Sequence, residues 1–405
     1  MSASVHWEDA GRPPLALFFE ARGAGAAELS PEPEAFLTAC FLPAMRDGER
    51  RVEIEGAVCG RLIEGLGEAV ARLRSARKTA HEMPRIEPTR GIRTVSPRRP
   101  ERAATFFTGG VDTLEMLQRN RRDHRSGDPE RFVEAVWVFG HLCPTDARTL
   151  GWNDAALQAV APAIAREGLA FTTVQTNIWA LAPDIPFLGE ESLSSALASV
   201  AHGLRSRFDS IAVASGRDAK RERLRGSCPM LDPLYSSSAV TIRHEPNPLS
   251  RFERLRVIAQ NPELLENLVV CLAFPTAPQI NCGECEKCLR TMTALVALGR
   301  LGGARRFPAR GVTPELLRAA RLDENTSAVY WDDYLPLLAQ RGRTDLLDAI
   351  REARERTRRE DRWRADEGFT GSLRRLDRRY LGGRLLRVRR LLSGRGAPSR
   401  PLAGA

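Results

Sequence analysis

The sequence contains no apolar run approaching the roughly 18 residues that a membrane-spanning helix needs, so no transmembrane segment is expected. The stretch Met1–Ala10 has neither the basic start nor the apolar core of a secretory signal, and the expected location is cytoplasmic. Gly-Lys followed by Ser or Thr, which closes a Walker A phosphate loop, does not occur. Signatures of sequence-specific nucleic-acid modules are missing too, as is any internal repeat. These gaps exclude a membrane protein, a P-loop NTPase and a modular DNA or RNA reader.

Charge is plentiful. The 405 residues include 61 basic and 51 acidic ones, a net charge of +10. Seventeen of the basic residues, all arginine, and seven of the acidic ones fall in 351–405, which leaves 44 of each sign in 1–350. The excess therefore belongs to the tail, and the body is neutral. A polyanionic partner inferred from the charge would be a partner of the tail alone. Leu381, Leu385, Val388 and Leu392 share a helical face there, ringed by Arg384, Arg387, Arg389 and Arg390. Three readings stand: docking on the body, RNA binding, or contact with an anionic membrane surface.

Apolar residues at 42% and charged residues at 28% fit a soluble protein with ample core, in two or three domains. Residues 1–85 read as a small N-terminal α/β domain and 86–102 as a linker. Apolar strands at 103–107, 132–139, 169–174 and 210–214 then alternate with helices at about 112–122, 154–166 (capped by Asn153 or Asp154) and 192–208. This spacing predicts α/β architecture, a doubly wound parallel sheet covered on both faces. A further strand is expected at 239–243, a helical extension at 301–350, and a basic helical tail at 351–405. Ligands bind such sheets beyond the carboxyl ends of the strands, where strand order reverses.

The first of these strands runs into Thr108-Gly-Gly-Val-Asp-Thr113 and then a helix. Paired glycines let the backbone turn sharply and approach a ligand. The amides and dipole of the following helix favour an anion. Thr108 and Thr113 add hydroxyl donors for phosphate oxygens, and Asp112 suits a Mg²⁺ ion. A second concentration of chemistry is Cys282-Gly-Glu-Cys285-Glu-Lys-Cys288. Gly283 permits the turn that aims two thiols at one metal, and a tetrahedral site needs a fourth. Cys271 is the best candidate for it and Cys228 the alternative. Zinc fits better than an iron–sulfur cluster, because no cysteine follows Cys288. Four thiolates leave no open position, so the metal is expected to be structural.

The loop resembles the PP-loop of the ATP pyrophosphatases, Ser-Gly-Gly-x-Asp-Ser, with threonine at both serine positions. With Cys271…Cys282-x-x-Cys285-x-x-Cys288-Leu-Arg290, the chain resembles the 7-cyano-7-deazaguanine synthase branch of that superfamily over about residues 103–300. The resemblance implies an adenine nucleotide alpha hydrolase-like fold, with ATP cleaved between its α and β phosphates. It implies that Thr108, Gly109, Gly110, Val111, Asp112 and Thr113 hold the pyrophosphate end and Mg²⁺, with Asp112 as the catalytic residue. It implies Zn²⁺ on Cys271, Cys282, Cys285 and Cys288. By position, Gly140 would lie near the adenosine, with Ser215 and Gly216 beside the same crevice. The implied activity is a ligase that adenylates a carboxylate or carbonyl oxygen for attack by ammonia or an amine. The substrate would be a small carboxylate or a purine-like molecule. The alternatives are a tRNA-modifying enzyme of the same superfamily, whose tail grips RNA, and a non-catalytic nucleotide-binding scaffold. A homo-oligomer is compatible with all three.

Other residues near strand ends are weaker candidates. Asn177 is a substrate contact or a loop cap, His141 and Asp146 a general base, and Cys143 a nucleophile. Asp232, Arg251, Glu253 and Arg254 are candidates to face the site. Cys40 and Cys59 read as core residues.

Overall fold

In the computed structural model of the chain, the described residues are 1–24, 29–77, 82–94, 102–217, 222–322 and 328–365. Strands β1 (Ser2–Val5) and β2 (Leu15–Gly23) precede helix α1 (Pro33–Asp47), β3 (Arg51–Ile54), β4 (Val58–Cys59), α2 (Gly60–Arg77), β5 (Arg85–Pro88) and β6 (Ile92–Arg93). Next come β7 (Ala103–Phe106), α3 (Val111–Asp123), β8 (Phe132–Phe139), α4 (Ala147–Arg166), β9 (Ala170–Thr176), the one-turn α5 (Ile185–Phe187), α6 (Leu193–Gly203), β10 (Ser210–Ala214) and β11 (Thr241–Glu245). The remaining helices are α7 (Arg251–Ala259), α8 (Pro262–Glu266), α9 (Glu286–Leu298), α10 (Pro314–Ala319), α11 (Ala328–Asp332), α12 (Leu335–Gln340) and α13 (Thr344–Ala365).

A seven-stranded sheet runs in the order β1-β2-β9-β8-β7-β10-β11. Strands β7 to β11 pair in parallel, whereas β2 runs antiparallel to β9 and β1 antiparallel to β2. From β7 the chain steps outward through β8 to β9, then returns to place β10 on the other side of β7. Strand order therefore reverses between β7 and β10, the position at which sheets of this kind form a ligand crevice beyond the carboxyl ends.

Alternation along the strands assigns the two faces. Ala104, Phe106, Val136, Val174, Ile211, Val213 and Ile242 share one core with Leu37 and Phe41 of α1, Leu62 and Leu66 of α2, and Val200 of α6. On the opposite face Trp137 donates its indole N–H to Asn153 of α4 at 2.8 Å. The sheet is thus covered on both sides, as the spacing predicts.

Two expectations change. Residues 1–85 do not close a sheet of their own, because β1 and β2 extend the central one, with Phe19 opposite Thr176 and Gly23 opposite Thr172. The stretch expected as a linker carries β5 and β6, which pair in parallel with β3 and β4 in two short ladders. Residues 95–101 lie outside the described residues.

Contacts divide the described residues into two compact units, one within 1–281 with 302–306, the other 282–301 with 307–322 and 328–365. In the second, α9 to α13 bury Trp331, Tyr334, Leu338 and Leu346. Tail residues 351–365 complete α13, and the amphipathic stretch 381–392 lies outside the described residues. No helix among the described residues is long and apolar enough to cross a membrane.

Candidate functional site

Strand β7 is buried throughout and delivers the chain to the crevice at Phe107. Gly109 adopts φ +67°, and a Cβ there would lie 2.5 Å from Val160 of α4. Both the conformation and the contact require glycine. Its carbonyl accepts the Val269 N–H at 2.9 Å. Gly110 caps α3 in extended conformation, with no side-chain hydrogen bond to the helix amides. Thr113 Oγ1 returns a hydrogen bond to the Gly110 carbonyl at 3.2 Å and lies 3.4 Å from the Thr108 hydroxyl. The loop therefore presents an uncapped helix start flanked by two hydroxyls, with Val111 buried beneath it.

Asp112, in the first turn of α3, departs from expectation. Arg254 Nη1 binds its Oδ1 at 2.8 Å, and Arg251 Nη1 binds its Oδ2. With both oxygens on guanidinium groups, Asp112 is poorly placed to ligate Mg²⁺, which two neighbouring cations would repel. Arg254 is fully buried and also donates to the Ser215 carbonyl at 2.6 Å and the Leu249 carbonyl at 3.0 Å. It thereby ties the loop after β7 to the loop after β10. Its Nη2 is buried without a hydrogen-bond partner among the described residues, a donor left for an anion or water. Of the weaker candidates, Arg251 and Arg254 reach the loop. Glu253 instead completes a capping box with Ser250 at the start of α7.

Ser215 sits at the end of β10, its hydroxyl donating to the Arg217 carbonyl at 2.6 Å. A Cβ on Gly216 would meet nothing within 4 Å among the described residues. Gly140 has φ +89°, and a Cβ there would be 1.7 Å from the Thr176 carbonyl oxygen. It is a close-approach glycine between the ends of β8 and β9.

Several candidates prove structural. Asp146 caps α4, accepting the Thr149 N–H at 2.9 Å, and the helix starts at Ala147 instead of beside Asn153 or Asp154. Those hydrogen bonds hold its carboxyl below the usual range. Asn177 stitches β2 to the sheet, accepting from Phe18 N and donating to the Ala16 carbonyl, both at 2.9 Å. Burial lowers the His141 imidazole to about 4, so it is neutral near pH 7. Burial raises the Cys143 thiol to about 12, so it stays protonated near pH 7. Cys59 is core, as expected, while Cys40 is half-buried beside it.

Of the weaker candidates, Asp232 lies in a buried group beyond Ser215 whose other members, His244 and Glu222, sequence reasoning missed. His244, near the end of β11, holds Nδ1 at 2.8 Å from Asp232 Oδ2. Asp232 is fully buried and also accepts from Ser194, from Ser227 at 3.1 Å and from the Cys228 N–H at 2.9 Å. Glu222 Oε2 faces His244 Nε2 at 3.8 Å. The one signal in the sequence was the location of His244 near the carboxyl end of a strand.

The cysteines gather as expected. Cys271, Cys282, Cys285 and Cys288 bring their sulfurs within 4.8 Å of one another, and no disulfide links them. The Cys282–Cys288 sulfur separation is 3.9 Å. Zn–S bonds of about 2.3 Å in a tetrahedron put sulfurs about 3.8 Å apart, so the geometry fits. Gly283 makes the turn at φ +73°, and a Cβ there would meet Pro308 at 2.7 Å. The N–H groups of Glu284 and Cys285 point at Cys282 Sγ at 3.4 and 3.2 Å, an arrangement that steadies a thiolate. Cys285 caps α9, and Cys288 lies in its first turn. These four thiols could hold a metal such as zinc. Cys228 is buried in the apolar core and is not part of the group.

No protein-family model, no curated protein and no solved structure matches this chain.

Proposed function

We propose that the chain is an ATP-dependent, AMP-forming ligase of the PP-loop type. It would adenylate a carboxylate or carbonyl oxygen and pass the activated group to ammonia or another amine. The observation that carries this reading is the meeting of an uncapped helix start, the Thr108 and Thr113 hydroxyls, and the buried Arg254 at the reversal of strand order. Two guanidinium groups against one carboxylate leave an excess positive charge beside amides that favour an anion.

In this reading the amides of Val111 and Thr113 and both threonine hydroxyls take the pyrophosphate end of ATP. Arg251 and Arg254 stabilise the charge that grows on it. Asp112 fixes both arginines and acts by positioning them. Mg²⁺ bound to the phosphates would supply Lewis-acid neutralisation there. Ser215 and Gly216 line the opposite wall. Zinc on the four cysteines is structural, since it has no open position. A 7-cyano-7-deazaguanine synthase-like chemistry is one member of this reaction class.

The test is pyrophosphate release from ATP, with Mg²⁺, against a panel of small carboxylic acids, purine-like acids and tRNA. The expected products are AMP and pyrophosphate, with loss in Arg254→Met. Formation of ADP and phosphate would overturn the proposal.

A further inference from the structure

The groups around His244 have a consequence for the second half of such a reaction. Asp232 uses its two oxygens to accept from Ser194, Ser227, Cys228 N and His244 Nδ1. That arrangement makes Nδ1 the protonated nitrogen and leaves the lone pair of Nε2 on the side of Glu222. Nε2 is buried and has no hydrogen-bond partner among the described residues, and neither has Glu222 Oε2, 3.8 Å away. The His244 side chain is 4% exposed and that of Glu222 14%, so Glu222 is the member of the pair that solvent reaches. Its other oxygen lies 3.5 Å from the Ser215 hydroxyl. The Ser215 carbonyl in turn holds Arg254, which holds Asp112. Ser215 thus stands between the two groups, its carbonyl on the Arg254 clamp and its hydroxyl near Glu222.

We infer that Glu222 is the proton acceptor for the attacking amine, with His244 and Asp232 as the positioning residues behind it. This inference rests on the ligase reading above. The amine nitrogen forms a bond to the acyl carbon of the adenylate. The bond from that carbon to the AMP oxygen breaks, and AMP leaves with the electron pair. The proton shed by nitrogen passes to the Glu222 carboxylate. Desolvation raises the Glu222 carboxyl above its usual range, although His244, Arg225 and Arg217 act against that rise. A raised carboxyl is a better base than an exposed one. A metal at this point is disfavoured, because among the described residues only the four cysteines bring three or more ligand atoms together.

The experiment uses the full chain with ATP, Mg²⁺ and the acid panel, and follows two readouts. Pyrophosphate–ATP exchange reports adenylation, and amide or hydroxamate formation reports transfer to ammonia or hydroxylamine. In Glu222→Gln, transfer to ammonia should fall at least about 100-fold further than exchange does, the scale of a lost general base. Hydroxylamine, a less basic amine that sheds its proton more readily, should recover most of that loss. Equal losses in exchange and transfer, or wild-type transfer to ammonia, would overturn the inference. If the wild-type chain shows no exchange with any acid, the adenylation reading fails instead. The relay is then decided by ¹⁵N spectra of the histidines. His244 should be protonated on Nδ1, and its Nε2 signal should move in Glu222→Gln while those of His141 and His202 stay. An Nε2–H tautomer, or an unmoved Nε2 signal, would refute the relay.

Discussion

Replacing Arg254 by methionine removes a side chain that ties the loop after β7 to the loop after β10. The guanidinium is fully buried and gives up three acceptors at once: Asp112 Oδ1 at 2.8 Å, the Ser215 carbonyl at 2.6 Å and the Leu249 carbonyl at 3.0 Å. Methionine keeps much of the stem volume, so the loss is chiefly polar. Breaking a buried ionic contact by deleting one partner costs about 3–5 kcal/mol. Asp112 keeps Arg251, which places the expected cost near the lower end. About 3 kcal/mol is a large share of the 5–15 kcal/mol that holds a domain folded. Urea unfolding followed by tryptophan fluorescence measures it, and an Arg50→Met control on an 81% exposed side chain should be nearly neutral. Asp112→Asn should cost less than Arg254→Met, because Arg254 keeps both carbonyls. If Arg254→Met is no worse than Arg50→Met, the buried clamp does not carry the load assigned to it here.

Three further outcomes are expected. Elemental analysis should find about one zinc per chain, lost in Cys271→Ser and kept in Cys228→Ala; the reverse pattern would reassign the fourth ligand. Gly109→Ala should destabilise by about 2–5 kcal/mol, combining left-handed backbone strain with the Val160 clash. Gly216→Ala should stay within about 0.5 kcal/mol in the same unfolding assay, and equal effects would refute the packing account. Burial holds His141 at about 4, below the roughly 6.5 of an unfolded chain. As pH falls the unfolded chain takes the proton first, so this stability is complete above about 6.5 and is lost on the way down to about 4, roughly 3 kcal/mol in all. Stability measured at pH 7 and pH 4.5 should therefore fall less in His141→Gln than in the wild type.

Features set by neighbouring residues were legible in the sequence. The turn from β7 into α3 needs glycine at one left-handed position, and the cysteine spacing places three sulfurs through a single tight turn, so both could be read locally. Features that depend on distant segments could not. Nothing near Leu15 announces that β2 will pair with a strand some 150 residues later. Asn177 looked like a ligand contact because it follows a strand, yet it spends its amide on β2. Asp112 looked like a magnesium ligand until α7 brought two arginines to it. His244, Asp232 and Glu222 come from a strand, a 3₁₀ turn and a loop, and no spacing links them.

The pairing of β2 with β9 has a consequence for the order of events at the ribosome. Residues 15–23 are made early, but their partner at 170–176 is made about 150 residues later. At 5–20 residues per second that gap lasts about 7–30 s. Throughout it Leu17 and Phe19, buried in the finished sheet, have no sheet to join. Strand β2 is thus made before β7, β8 and β9 yet can be seated only once β9 has arrived, and until then the nascent chain carries an unmatched edge.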